Sequence, residues 1–272
     1  MKEKVLLLLL LFLFFSCPVM AQGNLMIFPK RISFDGIQNR MQIINLSNVG
    51  KDTTTYKMSY SQIKMDEDGK FISIEEPEPN QRFASPYLRF YPRTITLAPN
   101  ASQTVKIQLI KTNGLEQGEY RSHLYFRGVP KNKILEKEGL THKPENLSIS
   151  IKPVFGISIA NIITIGEATT TVALSNLAVQ QSEEEIILSL DFNRSGNNSC
   201  YGDIQINHIS AAGITTSAAT IKGFAVYAPG NLRRTKIKLI ATSNIDYTKG
   251  QLKVIYSTQD KGVKYAEASL RL

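Results

Sequence analysis

The sequence predicts an all-β protein built from two β-sandwich domains in tandem. Residues with high β propensity are plentiful, and the chain of 272 residues contains no Trp. Apolar and polar residues alternate over short runs that are separated by turn residues, which is typical of half-buried strands. Short motifs recur in the same order about 130 residues apart. A length of this size suits two ordinary domains.

The first 21 residues are predicted to be a signal peptide. Val5 to Phe15 is an apolar run that is too short for a transmembrane helix, which needs roughly 20 residues. The small-residue site at Val19 to Ala21 would leave Gln22 as the first mature residue. Lipoprotein processing at Cys17 is the alternative, and we rank it second because Cys17 lacks the usual aliphatic residue three positions earlier. We therefore expect a periplasmic protein.

Strand-like runs follow one another through the first half of the mature chain. The acidic segment Asp66 to Gly69 lies between two of them and predicts a hairpin turn. Gly69 comes too early in this segment for a calcium-binding loop. The predicted strands are Leu25–Phe34, Arg40–Leu46, Thr54–Lys64, Tyr87–Leu97, Gln103–Ile110 and Tyr120–Val129.

The longest predicted strand of this half is Leu147 to Ile159. Its odd positions are apolar except for Pro153, which predicts one apolar face. Because proline has no N–H for a ladder, the strand is expected to bend or to lie at a sheet edge there. A polar segment, residues 131 to 146, leads into it. An apolar strand of this kind is either covered within the chain or available to pair with another chain.

Four pairs of motifs suggest that the second half repeats the first. Two similar sequences of strands, each of roughly 100 to 130 residues, are typical of immunoglobulin-like sandwiches. Tyr120 stands where such sandwiches have a tyrosine corner. We expect domains at residues 22–161 and 162–272, bent with a cleft between them. The motif pairs are Leu46–Asn48 with Leu174–Asn176, Gly69 with Gly196, Ala98–Asn100 with Ala228–Gly230, and Gly118–Tyr120 with Gly250–Leu252.

Composition and motif searches favour a protein that is not an enzyme. The three histidines, His123, His142 and His208, do not have metal-ligand spacing, and no cofactor is expected. Gly-rich phosphate loops and the nucleophile pattern Gly-x-Ser-x-Gly are absent from the sequence. The formal net charge of +9 is spread along the chain, so nucleic-acid binding is not predicted. Cys200 is expected to be a buried or half-buried strand thiol.

Four segments of the first half resemble the periplasmic pilus-assembly chaperones, the PapD-like family. They are Arg31–Gly36, Leu97–Val105, Gly118–Phe126 and the strand from Leu147. The resemblance covers about half of the chain, and the combination of the two middle segments is fairly specific. It implies a chaperone that donates an edge strand to an incomplete fimbrial or surface-fibre subunit.

The resemblance also implies which residues bind the subunit. Leu147, Ile149 and Ile151 would enter its open groove, and Arg31 would bind its C-terminal carboxylate in the cleft. The family has a second anchor, a Lys on the last strand of the first domain, but the alignment puts Gly156 there. Lys152 lies on the same face four residues away, roughly 13 Å along the strand.

Other functions stay open at this stage. A two-domain structural or adhesive envelope protein would cover the Leu147 strand internally. A carbohydrate-binding sandwich would need an exposed aromatic platform, for which the chain has no Trp. For the chaperone hypothesis, involvement of an outer-membrane usher and self-dimerisation through the edge strand are left undecided.

Overall fold

A computed structural model describes residues 24–130, 154–242, 245–259 and 262–272. Within these ranges the chain is built from β-strands, with one short 3-10 helix at Ser85–Tyr87. In the described part, no helix has the length and apolar character needed to cross a membrane. The predicted signal peptide and the predicted binding residues Leu147, Ile149, Ile151 and Lys152 lie outside the described residues.

The strands up to residue 165 form domain one. Sheet one has the order β1-β3-β9-β7, and sheet two has the order β2-β11-β10-β4-β8, while β5 and β6 form a separate hairpin. The strands are β1 (Leu25–Phe28), β2 (Arg31–Asp35), β3 (Met41–Asn48), β4 (Thr54–Ser61), β5 (Ile63–Met65), β6 (Phe71–Ser73), β7 (Leu88–Tyr91), β8 (Thr94–Leu97), β9 (Ser102–Leu109), β10 (Gly118–Val129) and β11 (Gly156–Ile165).

The strands from residue 171 form domain two, whose two sheets have the orders β12-β13-β16 and β15-β14-β17-β18. Each domain has its own apolar core between its sheets. The two-sandwich fold class is therefore confirmed. The strands are β12 (Thr171–Gln181), β13 (Ile186–Ser195), β14 (Cys200–Ile209), β15 (Thr215–Val226), β16 (Leu232–Lys238), β17 (Gln251–Ser257) and β18 (Lys264–Arg271).

Two of the predicted strands are divided at a proline. The predicted strand Leu25–Phe34 consists of β1 in sheet one and β2 in sheet two, with Pro29 between them. The predicted strand Tyr87–Leu97 is split in the same way at Pro92, into β7 and β8. The prediction of one continuous strand was therefore wrong in both places. Because proline cannot donate a hydrogen bond to a ladder, the chain leaves one sheet at each proline and joins the other.

Smaller local predictions are confirmed. The backbone N–H of Glu116 donates to the Tyr120 hydroxyl over 2.9 Å, which is the tyrosine-corner bond. Asp66 and Gly69 form the β5–β6 hairpin turn, where the Asp66 carboxylate accepts the N–H groups of Asp68 and Lys70. Cys200 is a fully buried free thiol at the start of β14, and burial raises its pKa.

The internal repeat is only partly reflected in the topology. The Ala-Pro motifs at residues 98 and 228 precede equivalent strands of the two domains. The first motif precedes β9, which pairs with β3, and the second precedes β16, which pairs with β13. Gly118 and Gly250 likewise stand at the starts of the equivalent strands β10 and β17. The other two motif pairs were wrongly matched. Gly69 lies in the turn of the separate β5–β6 hairpin, whereas Gly196 lies between β13 and β14, which belong to different sheets. The motif at Leu46 lies in β3, whereas the motif at Leu174 lies in β12, which pairs differently.

Candidate functional site in the interdomain cleft

The strand β11 is paired along the whole of one edge but along only part of the other. On one side it pairs with β10 over its whole length, from Gly156 to Ile165. On its other side, β2 runs parallel to it and pairs with Ala160 to Thr164 only. Residues 156–159 therefore have an edge with no backbone partner among the described residues. Ile159 is buried in the core of domain one and Ile157 packs against it, so the odd positions face the interior as the alternation predicts.

Arg31 lies at the point where the paired part of this edge begins, because it is the register partner of Ala160. Its neighbours Ile32 and Phe34 alternate into the core, so that Arg31 projects from the outer face of sheet two towards domain two. Its guanidinium carbon lies 4.7 Å from the centre of the Tyr201 ring of domain two. The Nη1 atom is buried and has no hydrogen-bond partner among the described residues.

The alignment position of the family lysine is occupied by Gly156, and the structure gives a packing reason for glycine there. A Cβ at Gly156 would collide with the ring of Tyr125 on β10. A longer side chain would therefore require Tyr125 to move. The residue directly beside Arg31 is Ala160, four positions later, which also has no charge.

A second arginine lies at the domain interface, on the neighbouring strand. Arg121 on β10 is almost fully buried, and its Nε lies 3.7 Å from the Glu119 carboxylate. Its guanidinium donates to the backbone oxygens of Ile63 (3.3 Å) and Ala228 (3.1 Å) and lies 4.4 Å from the centre of the Tyr227 ring. Arg121 is thus engaged on several sides and ties domain one to domain two.

Glu119 completes this link from the other end of the ion pair. Its carboxylate accepts the backbone N–H of Ser199 at 2.7 Å and the Ser199 hydroxyl at 2.6 Å. The same hydroxyl accepts the backbone N–H of Ala228. Because both charges are buried and hydrogen-bonded, removing either one would leave the other without compensation.

His123 lies two residues beyond Arg121 on the same face of β10. It is buried, and its ring contacts Phe71 and Tyr227 at centroid distances of 5.7 and 6.1 Å. Burial, with the positive charges of Arg121 and Arg31, lowers the pKa of His123 to about 3. The imidazole is therefore neutral at ordinary pH and adds no positive charge beside Arg121 and Arg31.

The domains also meet through apolar side chains. Ala160 and Ile162 of β11 form a small buried cluster with Ala225 and Tyr227 of domain two. The β5–β6 hairpin reaches across as well, because the backbone N–H of Arg234 donates to the Glu67 carbonyl at 2.6 Å. Beside these contacts lies an open cleft of about 490 Å³, lined by both domains. Its lining includes Glu119, Arg82 and Arg194, but Arg31 lies outside it. The predicted interdomain cleft is present.

Sequence reasoning identified Arg31 but assigned no role to Arg121 and His123. The available signal was the run of ionisable residues at positions 119, 121 and 123, which share one face of a strand. In an isolated sandwich that face would be exposed to water. In the described residues, no group of three or more His, Cys, Asp or Glu side chains could hold a metal ion.

No protein family model matches the chain, and no curated protein sequence matches it. Solved structures of fimbrial chaperones are similar to it in fold. The YadV chaperone is 11% identical with a TM-score of 0.44, over 92% of this chain and all of that one. The class 5 fimbriae chaperone CfaA is 16% identical with a TM-score of 0.39, over 91% and 98% of the two chains.

A third similar structure is the CsuC–CsuE complex of a chaperone with a tip adhesion subunit, from Acinetobacter baumannii. It is 8% identical with a TM-score of 0.43, over 91% of this chain and 97% of that one. Chaperones are thus among the solved structures that match the chain, each with a TM-score below 0.5.

Proposed function

We propose that this protein is an exported, periplasmic chaperone that binds fimbrial or other surface-fibre subunits. The subunit adds a strand to the open edge of β11, and its C-terminal carboxylate binds Arg31 in the cleft. The observation that carries the proposal is the pairing of β11, whose edge is open up to the residue beside Arg31. We propose a signal peptide at residues 1–21 followed by two domains. We place their division after Ile165, because the division predicted from the sequence, between residues 161 and 162, falls inside β11, which pairs with β10 as far as Ile165.

The course of β2 indicates how a bound strand would run. β2 is parallel to β11 and begins at Arg31. A partner strand on the open edge at residues 156–159 would lie in line with β2, immediately before it. If that strand is also parallel to β11, its C-terminal end points at Arg31. Main-chain hydrogen bonds would then supply affinity, and the carboxylate would fix the register.

Arg31, beside the open edge of β11, is the arginine that is suited to a carboxylate ligand. Its Nη1 has no hydrogen-bond partner among the described residues. Arg121 also has one such nitrogen, Nε, but its two terminal nitrogens both donate to carbonyl oxygens, and Nε lies 3.7 Å from Glu119. A guanidinium can bind a carboxylate through two parallel hydrogen bonds. A single arginine thus replaces the Arg and Lys pair of the PapD-like family in this proposal.

The residues proposed to enter the subunit groove are Leu147, Ile149 and Ile151, with Lys152 near them. They precede β11 with the same period of two that places Ile157 and Ile159 towards the interior of domain one. A subunit that lacks a strand would receive these side chains in place of its own. The proposal does not include binding to an usher or self-pairing of the edge. The capture experiment described next would also detect either of these partners.

The test is affinity capture from the native periplasm with the tagged mature protein. The variant Ile149→Asp/Ile151→Asp is compared with Ser148→Asp/Ser150→Asp, which adds the same charge to the opposite face of the same segment. We expect wild type and the serine variant to capture a small secreted β-rich subunit and the isoleucine variant to lose it, with equal thermal stability.

Two results would contradict the proposal. Unfolding of domain one in the isoleucine variant would mean that these residues belong to the core. Recovery of the protein as a permanent component of shed surface fibres would favour the structural or adhesive envelope function.

A further inference from the structure

The outer face of sheet one carries large apolar side chains that nothing in the described structure covers. Met26 and Phe28 on β1, Met41 and Ile43 on β3, and Tyr91 on β7 all project from it, and their exposed fractions range from 44% to 74%. They alternate with buried core residues such as Ile27 and Ile44, so they share the face opposite the core. We call these five residues the apolar face.

The strand register places these residues close together. Ile43 is opposite Lys106, which is in turn opposite Tyr91. Phe28 is opposite Asn45, two residues from Ile43 on the same face of β3. Neighbouring strands are about 4.8 Å apart, so side chains of this size can form one continuous surface. Exposed patches of this kind mark docking to a protein or to a membrane.

The charged residues on the strands that carry the apolar face are all positive. β1, β3, β7 and β9 contain no Asp or Glu, and their charged residues are Arg89 and Lys106. Lys30 and Arg40, both exposed, lie at the ends of β1 and β3. A second copy of this chain would bring two positive faces together, which disfavours self-association through this surface.

We propose that the apolar face of sheet one docks onto an anionic phospholipid bilayer. Apolar and aromatic side chains that enter the interface, with Lys and Arg that reach the headgroups, are typical of proteins that bind membrane surfaces. The position of Lys106 favours lipid over an acidic protein partner. Lysine is depleted from the cores of protein interfaces, yet Lys106 stands in the middle of this face.

This inference goes beyond the proposed chaperone function and does not depend on it. The open edge of β11 belongs to sheet two, on the other side of domain one. A molecule docked through sheet one would therefore keep that edge and the cleft away from the bilayer. A subunit and a membrane would not compete for the same surface.

The absence of tryptophan from the chain allows a site-specific fluorescence test. Phe28→Trp places a reporter in the apolar face, and Val263→Trp places one at an exposed position of domain two. Mature protein is mixed with vesicles of phosphatidylglycerol and phosphatidylethanolamine, or with vesicles of phosphatidylcholine alone. We expect a blue shift of emission only for Phe28→Trp and only with the anionic vesicles.

Charge variants distinguish vesicle binding through the apolar face from a general attraction between a basic protein and anionic vesicles. Arg89→Glu/Lys106→Glu is compared with Lys222→Glu/Lys236→Glu, which changes the net charge equally on domain two. We expect the first pair to weaken vesicle binding on the order of 100-fold, from the usual effect of cations near an anionic surface. The second pair should weaken binding less than about tenfold by the same reasoning.

Three outcomes would overturn the inference. They are no binding of wild type to anionic vesicles, equal blue shifts of the two reporters, and equal losses for the two charge pairs. Binding to immobilised polyglutamate but not to vesicles would overturn it in favour of an acidic protein partner.

Discussion

The two outer faces of domain one differ in composition and in burial: one carries ionisable residues that are buried, and the other carries apolar residues that are exposed. The outer face of sheet two carries Arg121 and His123, which are buried beneath domain two. The outer face of sheet one carries Phe28 and Ile43, which are exposed. Alternation along a strand thus divides residues between two faces, but burial depends on what covers each face. Matched substitutions on the two faces measure this difference.

The largest expected effect comes from the buried ion pair. Arg121→Ala should lower the free energy of unfolding by about 4 kcal/mol, because it leaves the Glu119 carboxylate buried without its cation. Arg89→Ala, on the exposed face of sheet one, should change it by less than about 0.5 kcal/mol. Urea denaturation of the two variants measures both values. Similar values for both would mean that the interdomain face is solvated.

A matched pair of isoleucines gives the next largest effect. Ile162→Ala removes a side chain buried between the domains and should lower the free energy of unfolding by about 3 kcal/mol. Ile43→Ala removes the same atoms from the exposed face and should have little effect. Thermal and urea denaturation provide the comparison. A large loss for Ile43→Ala would show that the apolar face is covered in the free protein.

The smallest of the three stability effects depends on pH. The pKa of His123 is lowered to about 3, below the value of about 6.5 for an unfolded chain. The unfolded state therefore binds a proton more readily, so the contribution of His123 is present above pH 6.5 and is lost as the pH falls towards 3. Between neutral pH and pH 5, the loss should be about 2 kcal/mol.

His123→Phe, which keeps an aromatic ring beside Phe71 and Tyr227, should remove that part of the pH dependence. Urea denaturation of wild type and variant at both pH values measures the difference. Identical pH dependence in the two proteins would mean that His123 is accessible to protons in the folded state.

Much of the fold could be predicted from local sequence signals. Periodicity located β3, β9 and β10 closely, and the position of Tyr120 after a glycine predicted the tyrosine corner. The changes of sheet at Pro29 and Pro92 were missed, although both prolines were visible, because alternation continues on either side of each one. The false match of Leu46 with Leu174 shows that a short motif can recur without a shared place in the topology.

The candidate site was less accessible to sequence reasoning. Arg31 was found through a family resemblance and not through its pattern, since a lone strand arginine is usually exposed. The burial of Arg121 and His123 could not be predicted, because it is caused by domain two, more than 100 residues away in sequence. The strand pattern showed that positions 119, 121 and 123 share one face, but not whether another domain covers that face.

The central claim is that Arg31 binds the carboxylate of a strand added to β11. The most direct measurement is the affinity of the C-terminal peptide of the captured subunit, as free acid and as amide, for wild type and for Arg31→Ala. We predict that amidation weakens binding to wild type about tenfold or more, as expected for a charge-assisted hydrogen bond, and has no effect on the variant. Equal affinities of acid and amide for wild type would contradict the account.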